Sequence, residues 1–284
     1  MISVDDIDYS KHSNKKLLAI PVGLIVAAIV VLAVLPVSLG FQFTGGVTVQ
    51  LSTDAPQNQI EQGFNGIDGV PSANNIRTTP DGYVVTFQDL SSTQIDNLND
   101  YVDNNYPDAS VSSVSPAYGS SLLEQSIWAV IFAFAIMTIV IFAFFRSLVP
   151  STAVVISAFS DMLIPLAVMD ILGIKLSLAT IPALLLLIGY SIDSDILLTR
   201  RTLSGRRSQF YENVEKAMGT GITMTTTSMA AMFVMAVVAH IFTIFTLRDI
   251  GIILFVGLGT DIINTYMMNV ALLRWHILGG RTDV

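Results

Sequence analysis

Four aspartates stand where carboxylates are costly, inside apolar runs long enough to cross a bilayer. Asp193 and Asp195 fall near the end of "LLLLIGYSIDSDILLTRR" (Leu184–Arg201), together with Tyr190, Ser191 and Ser194. Asp161 lies 11 residues beyond Pro150 and 10 before Ile171, and Asp261 is 13 residues from both Arg248 and Arg274, so both fall near mid-membrane. A carboxylate at that depth costs about 3 kcal/mol on insertion scales. Groups held there at such cost exchange protons, hold a cation, or fasten helices as neutral hydrogen-bonded side chains. Asp193 and Asp195 lie seven and five residues before Arg200, closer to the membrane surface. Two residues apart on a helix they point about 200° from each other. One therefore faces the bundle and the other the headgroups or Arg200–Arg201. Asp170 and Asp249 fall at span ends, where solvent reaches them.

Other chemistries are excluded. There is no cysteine, and three scattered histidines (His12, His240, His276) make no metal set. No Walker A loop, no H-E-x-x-H and no Ser-His-Asp set occurs. The expectation is a protein without enzymatic activity, cofactor or metal, driven by an ion gradient or a partner if by anything.

The elements that position the aspartates follow from hydropathy. Of 284 residues 52% are apolar and only 13% charged, against about a quarter charged in soluble domains. Six windows are long enough to span: Leu17–Leu35, Leu122–Phe145, Ser151–Ile171, Leu176–Leu198, Gly219–Ala239 and Ile250–Leu273. The first begins like a signal peptide at Lys15–Lys16 but has no A-x-A-like cleavage site, so it reads as a retained anchor. This divides the chain into a cytoplasmic start (1–16), a first span (17–35), an extracellular domain (36–121), a five-span region (122–273) and a cytoplasmic tail (274–284). With six spans both termini share a side. That side holds Lys11, Lys15, Lys16, Arg146, Arg200, Arg201, Arg206, Arg207, Lys216, Arg274 and Arg281, and the other only Arg77, Lys175 and Arg248. The bias places both termini in the cytoplasm of a multi-pass cell-membrane protein. In "GTGITMTTTSM", Thr220, Thr223 and Thr227 recur at helical spacing, and Gly219 and Gly221 would let a neighbouring backbone approach. The preceding "SGRRSQFYENVEKAMGTG" reads as a short interfacial helix.

The loop Pro36–Ser121 reads as strand Val47–Ser52, helix Gln57–Phe64, strands Asn75–Thr79 and Tyr83–Gln88, helix Thr93–Asn104 and strand Ser110–Val114. Asp81-Gly82 would form the hairpin tip, and Ser91 or Ser92 the second helix cap. The order βαββαβ is the ferredoxin-like pattern. Nine acidic residues face the single Arg77 in this domain. That charge disfavours nucleic acid as a partner and points to a high-salt setting, where dense carboxylates keep the surface hydrated.

"GFQFTGG" (Gly40–Gly46), with Gly40, Phe43, Gly45 and Gly46, resembles the G-x-D-F-x-G-G signature of the SecD and SecF protein-export membrane proteins. "LSLATIPALLLLIGYSIDSDILLTRRTL" and "LRDIGIILFVGLGTDIINTYMMN" resemble the fourth and sixth spans of the SecF family, most closely its archaeal form. The resemblance covers nearly the whole chain. It implies a six-helix half-unit of the resistance–nodulation–division (RND) fold, completed by SecD. It also implies a role beside the Sec translocon channel, assisting secretory preproteins in a bed of membrane lipids, with coupling to proton entry in bacterial relatives. Three positions depart from the pattern. Gln42 replaces the acidic residue of the first motif, Ser194 stands where bacterial relatives carry an aspartate, and a bacterial arginine opening the fifth span is replaced near Gly219. Asp193 matches the aspartate of SecD, and Gly189 one turn earlier shares its face. That alignment ranks Asp193 ahead of Asp195, Asp161 and Asp261, with Tyr190 and Ser194 as further candidates for ion coupling or helix packing. Two alternatives stand beside the accessory subunit: an RND-type proton-driven exporter of small molecules or lipids, and a passive translocon assembly factor.

Overall fold

A computed structural model describes residues 13–79, 82–88 and 90–279. Six of its helices are long and apolar enough to cross a membrane: Asn14–Val34, Pro116–Phe145, Leu148–Ile171, Thr180–Ser204, Arg207–Ile241 and Phe245–Leu278. The chain is thus mostly helical, with a small antiparallel sheet between the first two spans.

The first span, α1 (Asn14–Val34), starts at Ser13, whose hydroxyl accepts the Lys15 amide. A short helix α2 (Phe41–Thr44) follows, then β1 (Gly46–Ser52), α3 (Gln57–Asn65), β2 (Asn75–Thr79), β3 (Gly82–Phe87), α4 (Ser92–Asn105) and β4 (Ser110–Val114). The sheet order is β2-β3-β1-β4, antiparallel throughout. Alternation along β1 sends Val47, Val49 and Leu51 to the helix side, where they join Ile60 and Phe64 of α3 and Leu98 and Val102 of α4. Thr48 and Gln50 point to the opposite, open face. Ser91 and Gln94 form a capping box at the start of α4, settling the choice between Ser91 and Ser92. Thr79 pairs with Gly82, so Gly82 belongs to β3 and not to the turn, while Asp81 is outside the described residues.

The remaining spans are α5 (Pro116–Phe145), α6 (Leu148–Ile171), α7 (Thr180–Ser204), α8 (Phe210–Ile241), and a last one built of α9 (Phe245–Ile263), a π-helical turn (Asn264–Asn269) and α10 (Val270–Leu278). In the most apolar stretch of each span, half or more of the residues of α6, α7 and the last span are buried, against 11–17% in α1, α5 and α8. The first three are the centre of the bundle. The others turn large apolar faces outward, such as Ile136 and Ile139 of α5 and Phe233 and Val234 of α8. The stretch from Ser204 to Gly221 is no separate interfacial helix. A 3-10 turn (Arg207–Gln209) runs straight into α8, because Phe210, Val214, Ala217 and Met218 form one buried stripe continuous with the span.

The sheet domain is stitched to the bundle. Leu39 forms a parallel bridge with Leu176 in the α6–α7 loop, through Gly40 N to Leu176 O (2.7 Å) and Leu176 N to Ser38 O (2.8 Å). Ser38 N also donates to Asp170 Oδ1 at 3.1 Å, so Asp170 is a tie and not a freely solvated end group. Asp249 likewise pairs with Arg248 at 2.7 Å. Buried Phe43 anchors α2, and Gly119 on α5 is required there, since a Cβ would stand 2.7 Å from the Phe43 carbonyl oxygen.

Candidate functional site

Three of the four aspartates meet in the centre of the bundle. Asp161 (α6), Asp195 (α7) and Asp261 (α9) are all buried, and a ladder of hydroxyls and amides connects them. Ser191 donates to Asp161 Oδ2 at 2.5 Å, and Asn264 Nδ2 to Asp161 Oδ1 at 2.6 Å. Asp195 Oδ1 accepts from Thr265 Oγ1 and Asn269 Nδ2, each at 2.6 Å. Asp261 accepts from Ser194 Oγ at 2.9 and 3.1 Å, and Thr265 Oγ1 also lies 3.2 Å from its Oδ1. The Ser194 hydroxyl is 2.9 Å from the Ser191 carbonyl as well, which brings the Asp161 and Asp261 ends together along α7.

Two of the aspartates have a hydroxyl partner one turn away on their own helix, Ser157 for Asp161 and Thr265 for Asp261, whereas Ser191, one turn before Asp195, reaches across to Asp161. The π-turn supplies the rest. A π-helical insertion changes the angular spacing of side chains, and here Asn264, Thr265 and Asn269 all sit buried, with their donors on the carboxylates.

Two ion pairs among the described residues, Lys216–Glu212 and Arg248–Asp249, lie away from these groups. Asp195 Oδ2, the Oδ1 atoms of Asn264 and Asn269, and Thr199 Oγ1 are buried without a hydrogen-bond partner. All four can accept hydrogen bonds, and the Asp195 oxygen alone can also take a proton. Among the described residues no three His, Cys, Asp or Glu side chains converge so as to hold a metal ion. The aspartates communicate through intervening hydroxyls, an arrangement suited to moving a proton and to registering its presence by a helix shift.

Asp193 is elsewhere. It is exposed, on a stripe of α7 with Leu186, Gly189 and Arg200. Within this six-span unit Asp195, and not the first-ranked Asp193, is the buried member of the pair. The physical reason is helical phase: Ser191, Leu198, Thr199 and Thr202 share the Asp195 side, and that side packs against α6 and the last span. A side chain at Gly189 would meet nothing within 4 Å, so its close-approach surface is turned outward. Tyr190 is half-buried against the apolar cluster around Leu187 and Leu254, apart from the carboxylates. Ser194 does belong to the network. The threonine face of α8 is bonded internally: Thr223 Oγ1 donates to Gly219 O at 2.8 Å and Thr227 Oγ1 to Thr223 O at 2.7 Å. Gly221, not Gly219, is the close contact, and its neighbour is the Tyr266 hydroxyl rather than a backbone.

Sequence reasoning did not single out Ser157, Asn264, Thr265 or Asn269. The available signal was polar residues one turn from each aspartate, and two asparagines within "DIINTYMMN" where lipid-facing positions tolerate none.

Six spans around a buried acidic network, with an α/β unit inserted after the first span, define a multi-pass membrane protein whose polar chemistry is internal. Residues 94–278 match the family "Protein export membrane protein SecD/SecF, C-terminal". The chain is 43% identical to the protein-export membrane protein SecF of Haloferax volcanii, over 99% of this chain and 98% of that one. It is 40% identical to SecF of Methanolacinia petrolearia, over 96% and 97%. The crystal structure of SecDF, a translocon-associated membrane protein from Thermus thermophilus, shares the fold with a TM-score of 0.73 at 20% identity; the match spans 97% of this chain and 40% of that longer one. The chain belongs to the SecD/SecF family of protein-export membrane proteins, in its SecF branch.

Proposed function

We propose that this protein is the SecF-type accessory subunit of the Sec translocase, acting with a SecD partner in protein export across the cell membrane, and that the Asp161–Asp195–Asp261 network is its ion-coupling element. The observation that carries the coupling is the cluster of hydroxyls and amides that gathers three carboxylates of three central helices, with the Thr265 hydroxyl standing between Asp195 and Asp261. The name and length match of the archaeal SecF relatives supports the export role. Basic residues concentrated toward the termini support cytoplasmic ends and an extracellular sheet domain. The chain order and the strand order β2-β3-β1-β4 support reading that domain as ferredoxin-like. The outward stripe of Gly189 and Asp193 is assigned to the SecD side: a small residue permits close approach, and a carboxylate needs a polar partner there.

The test is pulse-labelled secretion together with recovery of the SecD complex. Asp161→Asn and Asp195→Asn should slow export about tenfold, the scale of one lost proton-linked interaction near 1.4 kcal/mol, with the complex intact. Gly189→Trp should instead lower recovery of the complex. Normal secretion in both aspartate variants would remove the coupling role; secretion and complex lost in step would leave the aspartates as helix fasteners.

A further inference from the structure

Two cavities meet at the end of the bundle that carries the sheet domain. The first, about 630 Å³, lies between the open face of the sheet and the α6–α7 and α8–α9 loops, and its walls include Thr48, Gln50, Arg77, Lys175 and Arg248. Among the described residues these three are the lysines and arginines at this end, and all three line this one space, with Asp249 its only acid; His240 stands by the neighbouring groove. Among the described residues Glu61 on α3 and Asp96, Asp100 and Asp103 on α4 lie elsewhere, in the helix layer across the sheet. One cation from the sheet and two from the bundle are thus gathered beneath a domain whose other charged residues are acidic.

The cations are held in place. Arg77 and Arg248 place their guanidinium carbons 5.6 and 5.2 Å from the centre of the Phe245 ring, one arginine from the sheet and one from the bundle. Asp249 steadies Arg248 at 2.7 and 3.0 Å from a single carboxylate oxygen. One anion against three cations leaves the cavity with net charge +2.

The second cavity, about 370 Å³, is an apolar groove between α8 and α9. Phe233, Val237, Ile241, Ile252 and Phe255 line it, and Arg248 stands in its wall too. Phe233, Val237 and Ile241 are exposed on the bundle surface, where hydrocarbon surrounds a membrane helix. Phe233 and Phe255 stand 5.7 Å apart, ring to ring, within the groove. Gly251 lets α9 come against Ala236 of α8 beside it.

We propose that these two cavities are one site for an anionic lipid, its phosphate among Arg77, Lys175 and Arg248 and a hydrocarbon chain in the α8–α9 groove. Arg248, in the first turn of α9, joins them at headgroup height. The shared arginine decides between occupants. A soluble anion or an acidic peptide would satisfy the polar cavity but has no use for an apolar groove open to hydrocarbon, whereas a phospholipid fills both. The arginine forks suit phosphate oxygens.

The experiment uses the purified full-length chain in detergent, with native mass spectrometry after exposure to phosphatidylglycerol or to phosphatidylcholine of the same chains. One phosphatidylglycerol should be retained in preference to phosphatidylcholine. Lys175→Gln, at an exposed side chain, should weaken that retention about fivefold, the effect of one basic residue near a membrane anion, and Arg248→Gln more. Val237→Trp, which fills the groove and leaves every charge in place, should weaken it as well. Thermal unfolding unchanged in Lys175→Gln and Val237→Trp would exclude misfolding as the cause. Equal retention of the two lipids, or unchanged retention in both of those variants, would overturn the site. Displacement by millimolar glycerol 3-phosphate would show a site for free anions, and stronger binding of an acidic peptide than of phosphatidylglycerol a peptide site; either would overturn the lipid assignment.

Discussion

The sheet domain and the centre of the bundle place their carboxylates in opposite ways. In the domain the core of Val47, Val49, Leu51, Phe64 and Leu98 is wholly apolar, and Asp96, Asp100 and Asp103 stand on the outer helix layer. In the bundle Asp161, Asp195 and Asp261 are inside, and Ile136, Phe233 and Val234 are outside. The difference follows from the surroundings. Water solvates a carboxylate at any exposed position, so burial is the costly choice there. Hydrocarbon solvates nothing, so polar groups are least costly facing one another. Acids are thus uninformative about function on the domain and informative inside the bundle.

Moving a carboxylate the wrong way should test this most severely. Val49→Asp buries an unpaired charge between β3 and β4 and should cost at least about 4 kcal/mol, read as lost hydrogen-exchange protection across the sheet while the spans stay protected. The converse change, Asp195→Leu, strands the Thr265 and Asn269 donors and should cost about 1–3 kcal/mol in thermal unfolding of the detergent-solubilised chain, less than Val49→Asp costs the domain. If Asp195→Leu proves as disruptive as Val49→Asp, the network is primarily architectural.

Salt should separate the regions further. Lowering ionic strength removes the screening of the domain's acidic surface and should destabilise it by about 1 kcal/mol, seen as earlier loss of sheet protection, with the buried network unaffected. Ser91→Ala should cost the domain a similar amount, about 1 kcal/mol, through the lost cap of α4. The smallest effect concerns Tyr101. Its phenol is held above its ordinary pKa of 10.0 by burial first, then by the neighbouring Tyr106. The folded domain therefore keeps this proton where the unfolded chain has lost it. Its contribution is complete below pH 10 and declines as pH rises through the folded value. Tyr101→Phe should flatten that alkaline decline, and an unchanged profile would remove Tyr101 from it.

The domain's strands were legible because each is half-buried: Val47, Val49 and Leu51 alternate with polar residues and fix which face is inward. The spans were legible from length alone. The depth of Asp161 and Asp261 could be counted from their flanking residues, and both proved buried. The phase of α7 could not. Leu184 to Ile188 are apolar on every side, so nothing local told which of two opposed aspartates looks inward. The π-turn was equally silent, since its geometry depends on what α6 and α7 present to Asn264 and Asn269. The gathering of Arg77, Lys175 and Arg248 needs three segments far apart in the chain to meet, which no spacing rule reports.

The backbone bridge of Leu39 with Leu176 has a mechanical consequence. Nineteen residues of mostly helical chain separate Leu176 from Asp195, an arm of roughly 28 Å at 1.5 Å per residue. Swinging α7 by about 5° around Asp195 would carry its far end some 2.5 Å sideways, by the same helical rise. Because Leu176 is hydrogen-bonded to Ser38 and Gly40, the sheet domain must travel with it. A small rotation at the carboxylates would thus be felt as a displacement at the domain, with the α6–α7 loop as connecting rod.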